Sequence, residues 1–266
     1  MHNPDLDGTE EFTRGSLRVL LSSGQAVVVH RLAIMSKDGD WILREDQEAI
    51  DHVLAVLESH GARYRFGAPL DVRWLRGGWS SHFEWTRDGL RIRTDFVSRP
   101  PRIAPSELAD MWAKAASSGR DVVDVVRLAA IKLTNREKDY AVVGDLARLM
   151  ANPMDRFRYS RSARDLIDLA RQYPDSTAAA ISLRPALSAL GRGRDALEEA
   201  LDRERRSLMR TNERRLQRYQ AAASEWAKLW TETSSLVEGK ALREAHASLV
   251  KRAEQLLPTH PSENEA

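Results

Sequence analysis

The sequence predicts an α+β protein, in which a small mixed β-sheet core is followed by an all-α C-terminal region. Up to about residue 104, short runs of β-branched and aromatic residues surround one clear amphipathic helix. Pro100, Pro101 and Pro105 then interrupt the chain. Beyond these prolines, almost all apolar residues recur at helical spacing. A mixture of strands and one helix in a single segment indicates a sheet domain with helices packed on it.

The first part contains one well-marked helix and one well-marked hairpin. Apolar residues recur at helical spacing in residues 45–60, and Gly61 is placed to end that helix. Asp88-Gly89 lies between two alternating segments, which is typical of a tight β-turn. We expect strands at residues 41–43, 63–66, 71–75, 82–86 and 90–98.

The second part is predicted to be helical to its end. The predicted helices cover residues 106–116, 122–133, 137–150, 162–172, 184–190 and 195–257, with a break near Gly239. Pro258 and Pro261 end the last of them. We therefore expect a flexible tail at 1–13, an α+β domain at 14–150, a helical region at 151–258 and a second tail at 259–266.

The composition excludes several classes of protein. Lys and Arg number 41 and Asp and Glu number 39 in 266 residues, so overall charge does not mark a nucleic-acid or membrane protein. There are no cysteines, which removes disulfides, cysteine zinc sites and cysteine nucleophiles. No apolar run approaches the ~20 residues of a membrane helix, and the first 14 residues do not form a secretion signal. We expect a cytoplasmic protein without a membrane partner.

Three acidic residues are the strongest chemical signal. Asp38 and Asp40 flank Gly39, so on a strand they project from the same face, and Asp95 can join them from a neighbouring strand. Clustered carboxylates repel each other unless a cation lies between them, and Mg²⁺ or Mn²⁺ prefers such oxygen ligands. The turn Ser23-Gly24 would offer backbone N–H groups to phosphates. Taken alone, residues 37–40 would favour an ordinary polar turn; their combination with Ser23-Gly24, Asp95 and residues 132–145 favours an active site.

The order of these residues resembles the nucleotidyltransferase (DNA polymerase β-like) superfamily, and in particular its AbiEii-type toxin branch. In that branch a small Gly-rich turn, a His-Gly pair and an Asp-x-Asp motif are followed by a helical signature with Lys, Arg and Asp. The corresponding residues here are Ser23-Gly24, His30-Arg31, Asp38-Gly39-Asp40, Lys132, Arg136, Asp139 and Asp145. The likeness covers residues 16–150. It departs from the family at Ser23, Arg31 and Gly39.

The resemblance implies a role for each matching residue. Asp38, Asp40 and Asp95 would be catalytic and would hold Mg²⁺ or Mn²⁺, with Asp95 orienting or deprotonating the acceptor hydroxyl. Ser23, Gly24, Lys132 and Arg136 would bind a nucleoside triphosphate, and Asp139 would support the two basic residues. Lys132 and Arg136 would lie one turn apart if one helix contains both. Alternatively, they belong to a solvated helix face paired with Asp139.

The reaction implied is transfer of a nucleoside monophosphate from an NTP to RNA, such as tRNA, or to protein, in a toxin–antitoxin or phage-defence setting. Seven arginines and three acids in residues 202–218 make a locally basic helix that could follow an RNA backbone or simply face solvent. A cognate antitoxin or another protein is a further expected partner. The alternative function is a catalytically inactive scaffold that binds a nucleotide or a partner.

Two other patterns have simpler interpretations. Trp74, Trp79 and Trp85 lie near arginines and could stack bases, but we favour packing within the sheet domain. Gly191-Arg192-Gly193 follows a helical segment instead of a strand, which favours a turn between helices over a dinucleotide site.

Overall fold

The computed structural model describes residues 4–262, and the chain divides into two compact units. The first unit runs to Val123 and resumes at Gln217, and the second is Asp124–Leu216. The domain boundary expected at residue 150 coincides with neither end of the second unit. Within residues 4–262, no helix combines the length and apolar character needed to cross a lipid bilayer.

The first unit contains the predicted mixed sheet. Its strands are β1 (Val19–Ser22), β2 (Gly39–Leu43), β3 (Arg63–Tyr64), β4 (Ser81–Arg87) and β5 (Leu90–Val97). They lie in the order β1-β2-β5-β4-β3, and only the β2–β5 pair is parallel. An α+β sheet domain with later helices is therefore confirmed.

The hairpin of β4 and β5 turns where the sequence predicts. Asp88 and Gly89 have φ angles of +52° and +76°, the left-handed pair that a two-residue hairpin turn requires. Arg87 pairs with Leu90, which fixes the register of the whole hairpin.

Helices α1 (Pro4–Thr13) and α3 (Gln47–Ser59) cover one face of this sheet. Phe12 of α1 is 1% exposed and packs edge-on against Trp41 and Phe96, at 5.4 Å from each ring. The flexible tail predicted at 1–13 is therefore wrong for residues 4–13, and residues 1–3 lie outside the described chain. Apart from Phe12, this segment is polar, so its helical packing is not apparent from composition.

Residues 71–75, expected to form a strand, belong instead to α4 (Val72–Arg76). The Asp71 side chain accepts a hydrogen bond from Arg73 N at 2.9 Å, which caps the helix. The two remaining helices before Val123 are α2 (Ser23–Val29) and α5 (Pro105–Ser118).

The returning segment of the first unit adds α12 (Ser224–Lys228), α13 (Trp230–Ser235) and α14 (Leu242–Leu256). Indole N–H groups hold it in place. Trp74 donates to Leu257 O at 3.0 Å and Trp79 to Thr259 O at 3.1 Å. Trp74 and Trp79 therefore pack against the returning segment, whereas Trp85 packs within the hairpin, as expected, and donates to Thr94 Oγ1 at 2.8 Å. The tail predicted at 259–266 is wrong at Thr259, and residues 263–266 lie outside the described chain.

His246 on α14 should make the first unit sensitive to acid. Burial lowers its pKa from 6.5, and its Nδ1 lies 2.8 Å from Tyr64 Oη, in position to accept the hydroxyl hydrogen bond. Because the unfolded chain binds this proton more readily, stability is full above pH 6.5 and falls as the pH drops below it. One proton limits this slope to about 1.4 kcal/mol per pH unit.

Urea unfolding between pH 5 and 8 measures this effect, with His246→Gln as the comparison because glutamine does not titrate. The native protein should lose more stability below pH 6.5 than the variant does. Parallel pH profiles for the two proteins would contradict the assignment.

The second unit is entirely helical. Its helices are α6 (Val125–Ile131), α7 (Glu137–Arg148), α8 (Pro153–Tyr159), α9 (Ala163–Gln172), α10 (Pro174–Leu183), a 3-10 helix (Pro185–Arg192) and α11 (Arg194–Ala222), with the division of units falling near the end of α11. Gly193, with φ +97°, separates the 3-10 helix from α11, while Gly191 and Arg192 end the 3-10 helix, so the predicted turn between helices is confined to Gly193. Residues 151–258 are helical apart from the connections between helices, and the break expected near Gly239 is present.

Candidate active site

One row of polar residues crosses the face of the sheet opposite α1 and α3. Ser22 on β1 pairs with Asp40 on β2, Asp40 pairs with Asp95 on β5, and Asp95 pairs with His82 on β4. Side chains of residues directly opposite each other on neighbouring strands share a face. The structure thus brings two of the three predicted acids side by side.

Asp38 lies two residues before Asp40, immediately before the start of the same strand. Its Oδ1 is 3.8 Å from Nη1 of Arg93, which is two residues before Asp95 on β5. Asp38 therefore belongs to a second, parallel row of charged residues on the same face. Gly39 between the two acids is buried and pairs with Thr94.

Two side chains that the sequence analysis missed, His82 and Arg65, approach Asp95. His82 Nδ1 lies 2.8 Å from Asp95 Oδ1, and Arg65 Nη1 lies 3.5 Å from the same oxygen. Asp95 Oδ1 nevertheless has no hydrogen-bond partner among the described residues. The Asp88-Gly89 turn already fixed the register that places His82 opposite Asp95, so the sequence contained the signal for His82. Arg65 follows a two-residue strand, and no pattern in the sequence indicated its position next to Asp95.

Three buried atoms at this site lack a hydrogen-bond partner among the described residues. They are Asp38 Oδ1, Asp95 Oδ1 and Arg65 Nη1. Buried polar atoms are normally paired, so unpaired ones call for an explanation such as an ion or ligand. The two carboxylate oxygens are suitable ligands for a hard cation, and the guanidinium nitrogen is a suitable donor to an anion.

The predicted acids do not converge on one point in this conformation. Across residues 4–262, no group of three or more His, Cys, Asp or Glu side chains is placed to hold a metal ion. The carboxylates nevertheless share a face, and their donors are the oxygens that Mg²⁺ and Mn²⁺ prefer. The residues present therefore fit a divalent ion in chemistry, and side-chain rotation would have to complete the geometry.

The predicted phosphate turn lies at the end of β1, directly after Ser22. Ser23 has φ +49° and begins α2, and a Cβ added to Gly24 would overlap Ser36 Oγ. Gly24 is thus required for the approach of the loop that leads to Asp38. Arg31, which like Ser23 replaces a glycine of the family pattern, has φ +62°. Ser23 and Arg31 therefore both have a left-handed backbone conformation, which glycine adopts more readily than any other residue.

Replacing Ser23 or Arg31 by glycine should therefore stabilise the protein by about 0.5–1 kcal/mol each, because left-handed backbone costs a non-glycine residue roughly 1–2 kcal/mol. Part of the gain is offset by the greater freedom of glycine in the unfolded chain. The matched control is Ser22→Gly, since Ser22 has an extended φ of −132° and should lose stability. Urea midpoints measure all three variants, and a fall at Ser23 and Arg31 like that at Ser22 would contradict the explanation.

The helical signature with Lys132, Arg136 and Asp139 lies in the second unit. Lys132 follows the last residue of α6 and Arg136 precedes α7. A turn separates them, as the two predicted helices at 122–133 and 137–150 imply, so they do not lie one turn apart on a single helix. Asp139 still joins them, with Nζ of Lys132 at 3.8 Å and Nε of Arg136 at 2.9 Å. Thr134 Oγ1 also donates to Asp139 at 2.6 Å.

Lys132 and Asp139 are 6% and 3% exposed, so the solvated helix face is wrong for Lys132. The supporting role predicted for Asp139, next to both basic side chains, agrees with these contacts. Binding of a nucleotide by Lys132 and Arg136 stays a prediction.

The basic helix predicted at 202–218 lies within α11, and several of its arginines pair with acids. Arg203 contacts Glu199, Arg205 contacts Glu137, and Arg206 contacts Asp202. Arg210 and Arg214 are exposed on the same helix. The second unit carries 19 Lys and Arg residues and 14 Asp and Glu residues, so a positive balance is a property of that unit.

Comparison with known proteins gives little beyond this geometry. No family model matches the chain, and no curated protein matches it. A crystal structure described as a "putative nucleotidyltransferase from H. pylori" aligns with 80% of this chain and 98% of its own, at 13% identity and a TM-score of 0.38. Because the overall likeness is weak at that score, function has to be inferred from the local geometry of the sheet.

Proposed function

We propose that this chain is a metal-dependent nucleotidyltransferase that moves a nucleoside monophosphate from an NTP to a hydroxyl group of RNA or protein. One observation carries the proposal: Asp40 and Asp95 are register partners on the parallel strands β2 and β5, with Asp38 two residues before Asp40. The Ser23-Gly24 turn follows Ser22, the register partner of Asp40 on its other side. Asp40 and Asp95 are thus on neighbouring strands, and the small turn follows the strand on the other side of Asp40.

The residues of this face support distinct parts of the reaction. Asp38 and Asp40 would hold Mg²⁺ or Mn²⁺ together with Asp95, and the bound ion would neutralise phosphate charge during in-line transfer. Asp95 lies beside Arg65 and His82 and would orient the acceptor hydroxyl or take its proton. The acceptor oxygen then forms the new bond to the α-phosphate, and pyrophosphate leaves with the electrons of the broken bond.

The acceptor and the biological setting are further proposals. The positive balance of the second unit, with exposed Arg210 and Arg214, favours RNA, including tRNA, over protein. A toxin or phage-defence role, with a cognate antitoxin, rests on the sequence resemblance to the AbiEii-type branch alone.

A non-catalytic scaffold is the second candidate, and one observation favours it. Asp95 lies 3.5 Å from Arg65 and Asp38 lies 3.8 Å from Arg93, so arginine charges already balance these acids. Such a site could bind a nucleotide or a partner without catalysing a reaction.

Transfer of label distinguishes the two candidates. The protein is incubated with each α-labelled NTP, with Mg²⁺ or Mn²⁺, and with total RNA, purified tRNA or total protein. Metal-dependent labelling of one acceptor class would establish the enzyme and identify nucleotide and acceptor together. Absence of label from a folded protein that still binds a nucleotide would favour the scaffold.

A further inference from the structure

The backbone at Arg65 is tied to the strand that carries His82. Arg65 N donates to His82 O at 2.8 Å, and Ala68 N donates to Ser80 O at 3.0 Å. The segment 65–68 therefore continues the sheet beyond the two residues of β3. Arg65 shares the parity of Arg63, the register partner of Glu84, and so projects from the face that carries Asp95.

The contact between this segment and His82 is close. A Cβ added to Gly67 would lie 2.5 Å from His82 Cδ2 and 3.0 Å from Ser80 O. Ser80 Oγ lies 2.8 Å from His82 Nε2 and holds the other side of the ring. Arg65 and His82 are thus fixed as one group on the edge of the sheet beside Asp95.

The charge of Arg65 is incompletely matched. Its Nη1 is buried and lies 3.5 Å from Asp95 Oδ1, yet neither atom has a hydrogen-bond partner among the described residues. Arg63, on the same face, instead forms a short pair with Glu84 at 2.7 Å. The two arginines of this short segment therefore differ. Arg63 has a well-formed ion pair, whereas Arg65 faces the proposed site with a buried nitrogen that makes no hydrogen bond within residues 4–262.

We propose that Arg65 is a phosphate-binding residue of this site. A divalent cation bound to Asp95 would neutralise the carboxylate that now balances the charge of Arg65. An anion next to the guanidinium restores that balance, and its planar fork suits two phosphate oxygens. The ligand class is the phosphate chain of a nucleotide. This inference rests on the proposed function, because it assumes that a nucleotide and a divalent ion meet at Asp95.

The test measures binding instead of activity. The native protein, Arg65→Ala, Arg65→Lys and the control Arg63→Ala are titrated with ATP, GTP, CTP and UTP, each with Mg²⁺, and with the corresponding nucleosides. Loss of a charged hydrogen bond should weaken triphosphate binding by roughly 10–100-fold in Arg65→Ala. Arg65→Lys should fall between the two, because lysine keeps the charge but lacks the fork. Arg63→Ala should bind triphosphate as the native protein does, and nucleoside binding should not change.

Titration with Mn²⁺ alone separates a phosphate contact from a structural role. Arg65→Ala should bind Mn²⁺ at least as tightly as the native protein, because a positive charge next to Asp95 has been removed. Loss of both Mn²⁺ and triphosphate binding would overturn the inference, as would native triphosphate binding by Arg65→Ala or an equal loss in Arg63→Ala.

Failure of the inference is distinguishable from failure of the proposed function. Label transfer that continues unchanged in Arg65→Ala, with native affinity for the triphosphate, removes the inference alone. If the native protein binds no triphosphate with any divalent ion and transfers no label, both fall together.

Discussion

Replacing Asp40 or Asp95 with asparagine is expected to lower the rate of nucleotide transfer by about 10²–10⁴-fold. Asparagine keeps the shape of the side chain but removes the charge that would hold a divalent cation. The two residues are register partners on parallel strands, so each loss removes one side of the same site. Because they act as a unit, the double variant should be little slower than either single variant.

Asp88→Asn is the matched control for these variants. It makes the same chemical change at the turn of the hairpin that carries Asp95, and asparagine tolerates its φ of +52°. Transfer by this variant should equal that of the native protein. The measurement is the initial rate of label transfer at saturating nucleotide, with thermal unfolding to confirm that each variant is folded. Full activity in Asp40→Asn or Asp95→Asn would exclude the catalytic role and favour the scaffold.

Replacing Glu204 with alanine is expected to destabilise the second unit by about 3–5 kcal/mol, because a buried ion pair loses one partner. Glu204 receives Arg184 Nη2 and Arg161 Nη1, both at 2.7 Å. Burial raises the pKa of Glu204, but the hydrogen bonds and charges of the two arginines outweigh it and leave the pKa below its ordinary value. Burial, reinforced by the charge of Arg184, lowers the pKa of Arg161 to about 10. Without Glu204, two neighbouring guanidinium groups would repel each other inside the unit.

Glu199→Ala controls for the loss of an acidic residue on the same helix. Glu199 pairs with Arg203 on the exposed side of α11, where such a pair contributes less than about 1 kcal/mol. Urea unfolding followed by helical circular dichroism measures both variants. Equal stabilities for Glu204→Ala and Glu199→Ala would show that solvent reaches the cluster and screens its charges.

The hairpin and the acidic face show what local sequence can predict. Alternating residues around Asp88-Gly89 fix both strands and their register, since a two-residue turn leaves no freedom to slip. Asp38 and Asp40 follow from the two-residue period of a strand. Asp95 lies on the second strand of the hairpin, and the structure makes it the register partner of Asp40, a pairing that the local pattern alone does not specify.

The errors arise where tertiary packing outweighs local pattern. Helix α1 buries one aromatic side chain, Phe12, from a mostly polar segment, so its periodicity is weak. The strand expected at residues 71–75 is instead a helix, which the Asp71 side chain caps. Arg65 acquires its position from backbone pairing with β4, a long-range contact that no local pattern encodes.

The first unit is discontinuous in sequence, and this has a consequence for its synthesis. Its sheet leaves the ribosome before residue 123, but the carbonyl groups that accept the indole protons of Trp74 and Trp79 belong to residues 257–259. All 93 residues of the second unit are translated between these partners. During that interval, apolar side chains that α12 and α14 later cover, Trp74 among them, are open to chaperones and to neighbouring nascent chains. Translation rate and chaperone supply should therefore affect the yield of folded protein more than they would for a unit built from one continuous segment.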